Sequence, residues 1–559
     1  MTPAFEPGAV GAFIDSAFSR LAQFRFAEAL WTRTLEIWST DPSVQQKIGH
    51  RLGWLQSIEF VMRDLERVRG FAEGVRAGGF TDVVLLGMGG SSLAPEVMRQ
   101  VLGASPGYPR FRMLDSVDPA AVRDAMSHAD TSLFLLASKS GGTIEPNVMA
   151  AEARRRIEAA GHQPWGSRFV AITDENTALH QRALAEQFRD IFVNPSDIGG
   201  RYSALSFFGL VPAAVMGADL DRLLSGGRAM ADACRAADPR TNPGLALGAF
   251  IGGAAEAGRD KLTLVVSPRL ASFGLWVEQL IAESTGKQGK GVVPIAGEPP
   301  GARFGKDRSV VVVQLGDEMP DADRIERLRA SGAPIFTVRM DDATALGGEF
   351  FRWEMATAVC GWLMRINPFD EPNVQQAKDA TRALLDTYAS TRRLPAPEPH
   401  ESRDGIRFTL STAAESALGS ASPGRFLDVL GAGDYLALLA FVSPNAADLA
   451  ASFARLRQEI GSRFERATMF GYGPRYLHST GQLHKGGPNT GVFVVILATP
   501  EEDLAIPGEP FSFGVLEAAQ AIGDFQSLEK TGRRALLIQL PRPDAAAVSK
   551  VADALLAGR

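Results

Sequence analysis

Apolar residues recur every third or fourth position over residues 10–26, 26–38 and 45–60, with Lys, Arg and Gln on the other faces. That spacing predicts amphipathic helices through about residue 70, with Asp41-Pro42-Ser43 as a helix start. From Asp82 the pattern changes to short continuous apolar runs, each followed by a glycine- and hydroxyl-rich loop and a helical stretch. Residues 83–86, 133–137 and 169–172 read as strands buried on both faces of a parallel sheet. Residues 262–266, 309–315 and 334–338 repeat the pattern, with helices over 273–281 and 354–366. A Pro- and charge-rich stretch, 391–405, marks a boundary. Beyond it lie strands over 408–410, 435–442, 492–497 and 535–540, helices over 446–464 and 513–529, and a closing helix. The expected fold class is therefore α/β. It comprises a helical cap on the first sheet (1–70), two doubly wound, mainly parallel sheet domains (71–220 and 221–390) and a C-terminal α/β domain (406–559).

Composition narrows the function classes. A chain of 559 residues carries several domains, since single cores stop growing near about 250–300 residues. The net charge of −6 gives no reason to expect nucleic-acid binding. The two cysteines, Cys234 and Cys360, sit far apart among apolar or small residues; they read as buried hydrophobes in a reducing compartment, with no metal site. The first residues lack the basic flank of a signal peptide, and no apolar run approaches the roughly 20 residues of a membrane span. The expectation is a cytoplasmic protein without membrane or nucleic-acid partners.

Candidate chemistry gathers in loops. SKSGGT (138–143) follows a predicted strand and opens a helix. Converging backbone N–H groups, three hydroxyls, one ammonium and a helix N-terminus suit a phosphate better than a carboxylate. An ordinary strand-to-helix turn uses the same residues, and the loop alone does not separate the two. GMGGSS (87–92) also ends a strand, yet fits neither the Walker A nor the dinucleotide pattern, because Ser92 stands where a third glycine belongs. Two such loops in one α/β unit are more telling, since adjacent strand ends can converge on one ligand. GGRYS (199–203) brings Arg201 close to backbone, although a surface ion pair is the ordinary reading of Gly-Gly-Arg. ESTGKQGKG (283–291) sets Glu283 where a helix meets a loop, and NPFDEPNVQQAK (367–378) follows the long apolar helix.

Taken in order, these five motifs resemble the glucose-6-phosphate isomerase family with its two sugar-isomerase domains, over residues 52–388. KIGHRLGWL (47–55) and GYGPRYLHSTGQLHKGGPN (471–489) are similar to the isomerase half of fused transaldolase–isomerase enzymes. No transaldolase barrel precedes these motifs, so that second activity is not expected. The resemblance implies an aldose–ketose isomerase that interconverts glucose 6-phosphate and fructose 6-phosphate through ring opening and a cis-enediol, with neither cofactor nor metal. It matches Ser138, Lys139, Ser140 and Thr143 to the phosphate loop, and Gly90 and Ser91 to contacts from the first loop. Gln279 matches a sugar-contacting glutamine, Glu283 the base that shuttles the proton, Arg201 the cation beside the enediolate, and Lys378 a lysine that assists ring opening.

Two departures stand out. The family's ring-opening histidine lies between the glutamate and the lysine, yet no histidine falls between Glu283 and Lys378. His50, His128, His162, His180 and His400 read as solvated or structural. His478, in its LHSTGQ context, is the match; His484 is a candidate supporting residue, and Glu145 matches the carboxylate that orients the histidine. Glu371 stands where the family has a glutamine. A carboxylate would repel a phosphate, so Glu371 faces a sugar hydroxyl or a cation, or lies outside the site. An isomerase of another hexose phosphate and a non-catalytic sugar-phosphate-binding regulator remain as alternatives. Monomer and homodimer stay open, as does whether His478 acts within its own chain.

Overall fold

The computed structural model describes residues 4–301 and 303–557, which build three sheets. In the first, the spatial order is Arg110–Leu114, Asp82–Gly87, Ser132–Ala137, Phe169–Asp174 and Asp190–Asn194, all parallel. Asp82–Gly87, Ser132–Ala137 and Phe169–Asp174 are buried along their whole length, as continuous apolar runs require under helices on both faces. The edge strands Arg110–Leu114 and Asp190–Asn194 mix charged and apolar positions and escape a reading by apolar runs. The chain leaves Asp82–Gly87 toward one edge and returns on its other side at Ser132–Ala137. Winding therefore reverses between these two strands, and a crevice opens beyond their carboxyl ends. GMGGSS and SKSGGT are the two loops that flank it.

The second sheet runs Ala4–Glu6, Ile335–Met340, Arg308–Leu315, Lys261–Val266 and Val293–Ile295, parallel except for its first strand. That first strand corrects the expected all-helical cap on the first sheet. Ala4–Glu6 pairs antiparallel with Ile335–Thr337, and Phe5 stacks on Phe336 at 6.3 Å. Helix Gly11–Gln23 then crosses Pro243–Glu256 so closely that a Cβ on Gly253 would lie 2.9 Å from the Ile14 Cα. Phe5, Ile14 and Phe18 thus bury their apolar surface on the second sheet's open edge and helices. The later helices, Ser57–Arg63 and Leu65–Ala77, serve the first unit, through Phe60 on Phe207 and Phe71 on Phe192. The two helical stretches read over 10–26 and 26–38 meet where Arg25 takes a left-handed φ of 50°, and the second ends early, at Trp31. Asp41 caps helix Pro42–Gly49 by accepting from Ser43 N at 2.8 Å.

The third sheet has the order Glu401–Arg403, Ile406–Leu410, Arg534–Leu540, Gly491–Ala498, Tyr435–Phe441 and Ala467–Tyr472. The last four are mutually parallel, and an antiparallel hairpin closes one edge. A buried carboxylate ties this sheet to the second. Glu298 accepts from Arg308 Nη1 and Nη2 at 3.0 and 2.9 Å, from Arg324 Nη2 at 3.0 Å and from the Thr468 backbone N–H at 3.1 Å. Arg457 adds bonds to Gly297 O and Thr468 O. Helix Val374–Thr391 packs on Phe513–Lys530, where a Cβ on Gly523 would sit 3.1 Å from Thr381 N.

Glu298 has no exposed side-chain surface. Burial alone would raise its pKa, yet Arg308 and Arg324 hold the carboxyl below the usual carboxylate range. A depressed carboxyl stabilises the fold above its unfolded pKa, and that contribution fades as pH falls toward the folded value. Glu298→Ala should destabilise the chain by about 3–5 kcal/mol in equilibrium denaturation at neutral pH, because two buried guanidiniums lose their counter-charge. The deficit relative to wild type should shrink on acidification.

Candidate active site

Glycines set the crevice dimensions. A Cβ on Gly90 would lie 2.1 Å from Gly200 O, so the first loop and GGRYS meet backbone to backbone. At Gly89 the chain adopts φ 53°, and a Cβ there would come 2.5 Å from His478 O. Segments from the first strand-end loop, from GGRYS and from the third domain therefore converge within contact distance. In the second loop, Ser138 Oγ accepts from Gly141 N at 3.1 Å, and helix Ile144–Ala159 starts directly after Thr143. Lys139 does not stand free in this loop. Its ammonium pairs with Asp174, at the end of the neighbouring strand, and donates to Ser196 O at 2.9 Å. A cavity of about 500 Å³ lies beside Ser140, Thr143, Glu145, His478 and Lys378. Lys378 projects from Val374–Thr391 without a hydrogen-bond or ion-pair partner among the described residues.

His478 Nε2 lies 2.8 Å from Oε1 of Glu145, 333 residues away in sequence. Gln520 Nε2 donates to the same oxygen at 2.7 Å. Burial opposes charge on Glu145, but the neighbouring His478 and these hydrogen bonds hold its carboxyl below the ordinary range. Gln279 links this pair to the rest of the cleft. Its amide nitrogen donates to His478 O at 2.8 Å and approaches Glu283 Oε2 at 3.3 Å. Its Oε1 is buried without a partner among the described residues.

Glu283 and Gln279 sit one turn apart on helix Phe273–Thr285. Burial lifts the Glu283 carboxyl to about 7; Arg201 opposes this and Glu371 reinforces it. Arg201 is only 4% exposed at its side chain. Its Nε donates to Ser284 Oγ at 2.7 Å, Nη1 to Glu371 Oε2 at 2.9 Å, and Nη2 to Pro368 O and Asp370 O at 2.8 and 3.0 Å. Glu283 Oε2 lies 3.7 Å from the same Nη1. Of the options open for Glu371, the structure selects a cation, and that cation is Arg201. Lys287, buried beside them, contacts Asp370 Oδ1 at 2.8 Å. Burial and Arg201 push its ammonium down to about 8 against the pull of Asp370.

His484 is the one candidate found apart from this cluster. It lies on the short helix Gly481–Gly486, fully buried against Phe493, Tyr476 and Tyr435, with neither ring nitrogen hydrogen-bonded among the described residues. Burial, aided by Lys485 and Arg533, drives its pKa well below the usual histidine value. His484 is thus a neutral core ring, not a partner of Glu145. Its neighbours hold the loop instead: Tyr476 OH and Lys485 Nζ bond the two oxygens of Asp524 at 2.7 and 2.6 Å. Arg475 makes a bidentate pair with Asp115 of the first unit at 2.6 and 2.8 Å. Gln520 and Asp524 lie outside the motifs, while Ser284 and Lys287 lie inside ESTGKQGKG, where only Glu283 was given a role. Glu517, Gln520 and Asp524, spaced three and four apart within an apolar helix, carried the signal for the first two.

The profile of the phosphoglucose isomerase family matches residues 55–295. The glucose-6-phosphate isomerase of Synechococcus sp. (strain CC9605) is 30% identical over 438 residues, which is 68% of this chain and 82% of that protein. A probable glucose-6-phosphate isomerase of Haloarcula marismortui is 33% identical over 348 residues, 54% and 78% of the respective chains. Among solved structures, a hypothetical protein from Thermus thermophilus superposes with a TM-score of 0.57 at 26% identity, covering 68% of this chain and 99% of that one. The glucose-6-phosphate isomerase of Chlamydia trachomatis shares the fold at a TM-score of 0.50 and 19% identity, over 59% and 74%. With its paired sheets, its two glycine loops at the winding reversal and this similarity across more than four-fifths of a curated relative, the chain belongs to the glucose-6-phosphate isomerase family.

Proposed function

We propose that the chain interconverts glucose 6-phosphate and fructose 6-phosphate, with Glu283 moving the proton between C2 and C1. The observation that carries this reading is a buried carboxylate with raised proton affinity, set beside a fixed guanidinium and joined through Gln279 to a histidine–carboxylate pair. A base with a pKa near the working pH can both take and return a proton. Arg201 is held by four hydrogen bonds, so its charge is already aimed when negative charge develops on the enediolate oxygen. Ionised Glu145 offers only acceptors, which makes Nε2 of His478 the protonated nitrogen of that pair. Nδ1 is then the ring nitrogen left to meet the ring oxygen, with Lys378 across the cavity to assist opening. The unpartnered Oε1 of Gln279 suits a sugar hydroxyl. Ser138, Ser140, Thr143, Gly90 and Ser91 would bind the phosphate end through hydroxyls and backbone N–H groups, and Lys139 would contribute its charge from the loop's flank.

Incubation with fructose 6-phosphate in deuterium oxide should place deuterium at C2 of the glucose 6-phosphate formed and at C1 of the recovered fructose 6-phosphate. Glu283→Gln should abolish exchange while sparing competitive binding of inorganic phosphate. Binding without exchange in the wild type would assign the chain to the sensor class instead. Protonated Glu283 cannot accept, so kcat/KM of the free enzyme should fall on the acid side with a midpoint near pH 7.

His478 and Glu283 of one chain flank the same crevice, bridged by Gln279. A mixture of inactive His478→Ala and inactive Glu283→Gln proteins should therefore stay inactive. Recovery of activity on mixing would mean that subunits exchange the histidine.

A further inference from the structure

We infer that Glu371 tunes the basicity of Glu283 by sharing with it the charge of a single guanidinium. The inference rests on the reading of Glu283 as the proton-transfer base. Its geometry is that of two carboxylates competing for Arg201 Nη1: Glu371 Oε2 holds it at 2.9 Å, inside hydrogen-bond range, and Glu283 Oε2 stands off at 3.7 Å. The bonds to Ser284, Pro368, Asp370 and Glu371 use four of the five N–H donors of Arg201. One N–H of Nη1 remains on the side of Glu283, where it can serve a substrate oxygen. Because three of those four bonds come from the turn 368–371, the turn that supplies the competing charge also fixes the guanidinium's orientation.

The surroundings of Glu283 assign the tuning to this contact. Arg201 faces it from the GGRYS turn, Glu371 from the turn after the long helix, Lys287 from the loop below and His478 from the third domain, while Gln279 approaches from its own helix. Lys287 is itself engaged by Asp370, and His478 by Glu145. Arg201 is the nearest cation, and its charge is the one divided between two carboxylates. Glu371 in turn faces Arg201, Arg51 and Lys287. If Glu371 carried no charge, the whole guanidinium field would act on Glu283 and stabilise its ionised form, making it a weaker base. With 39% of the Glu371 side chain exposed, water screens part of this effect, which places it at the lower end of what a neighbouring charge can do.

Glu371→Gln separates charge from structure, since the amide oxygen can still accept from Nη1. The acid limb of the kcat/KM–pH profile should move down by about one unit, and the plateau rate should fall with the weaker base. Glu371→Asp, which keeps the charge, should hold the limb near the wild-type position. If Glu371 only braces the turn, Glu371→Gln will lower kcat/KM by one factor at every pH and leave the limb in place, which overturns the inference. A measurement independent of turnover is the 13C-carboxyl resonance of Glu283, assigned by its loss in Glu283→Gln. Its titration midpoint should be lower in Glu371→Gln than in wild type, and an unmoved midpoint refutes the sharing. Failure of the wild type to exchange deuterium would instead remove the isomerase reading and leave this titration interpretable.

Discussion

The cleft is organised by the need to satisfy one buried cation. A guanidinium removed from water requires hydrogen-bond acceptors and counter-charge on every edge. Arg201 finds them in Ser284 on one helix and in the turn 368–371 at the end of another. Those segments belong to the second sheet's unit, whereas Arg201 follows the last strand of the first. Satisfying the arginine is therefore the same act as joining the two units. The backbone contact of Gly90 with Gly200 keeps the first loop against this joint. Any side chain at Gly90 would separate the glycine loop from Glu283, the proposed base.

The third domain completes the arrangement through polar contacts that each have a defined geometry. His478 is placed by Glu145 at its ring and by Gln279 at its carbonyl. Just before it, Arg475 grips Asp115 and Tyr476 reaches Asp524. Helix Phe513–Lys530 contributes twice, with Gln520 on Glu145 and Asp524 on Tyr476 and Lys485. A loop rich in glycine becomes rigid here because each of its functional residues has a neighbour that is itself anchored. Rotating the imidazole would break a charge-assisted bond in a water-poor setting, where such bonds are strongest.

Strands with continuous apolar runs were legible to within a residue or two: 133–137 became Ser132–Ala137, and 492–497 became Gly491–Ala498. Edge strands were not, since Arg110 and Arg112 interrupt RFRML on its more exposed side, and DIFVN offers only three apolar residues between Asp190 and the buried Asn194. Ala4–Glu6 is too short for any period to register, and only its pairing with Ile335–Thr337 makes it a strand. In the cleft, motif residues were readable because their chemistry is local, while pairings that cross domains were hidden. Lys139 looks like a free loop cation until the adjacent strand brings Asp174 beside it. His478 and His484 stand six residues apart in one polar-looking loop; the LHSTGQ context marks the first, but nothing in the sequence shows that the second leaves the cleft. The short helix Gly481–Gly486 turns the second inward against aromatic rings.

That contrast also explains how the histidine can come from an unexpected place in the chain. Ring opening asks only that an imidazole, oriented by a carboxylate, reach one oxygen of the sugar. The orienting carboxylate, Glu145, already stands at the start of the helix that follows the phosphate-type loop. Whatever element lies over that helix end can supply the imidazole, provided its backbone meets Gln279 and its loop is fixed. The third domain meets both conditions, with the Gln279 contact at His478 O and the Asp524 and Asp115 anchors behind it. Covering the cleft also removes water from Glu283, and that desolvation is the largest influence on its proton affinity. The domain that carries His478 thus also contributes to the burial that raises the proton affinity of Glu283, the proposed base. Sequence position is free to vary; the oriented pair and the dry cleft are not.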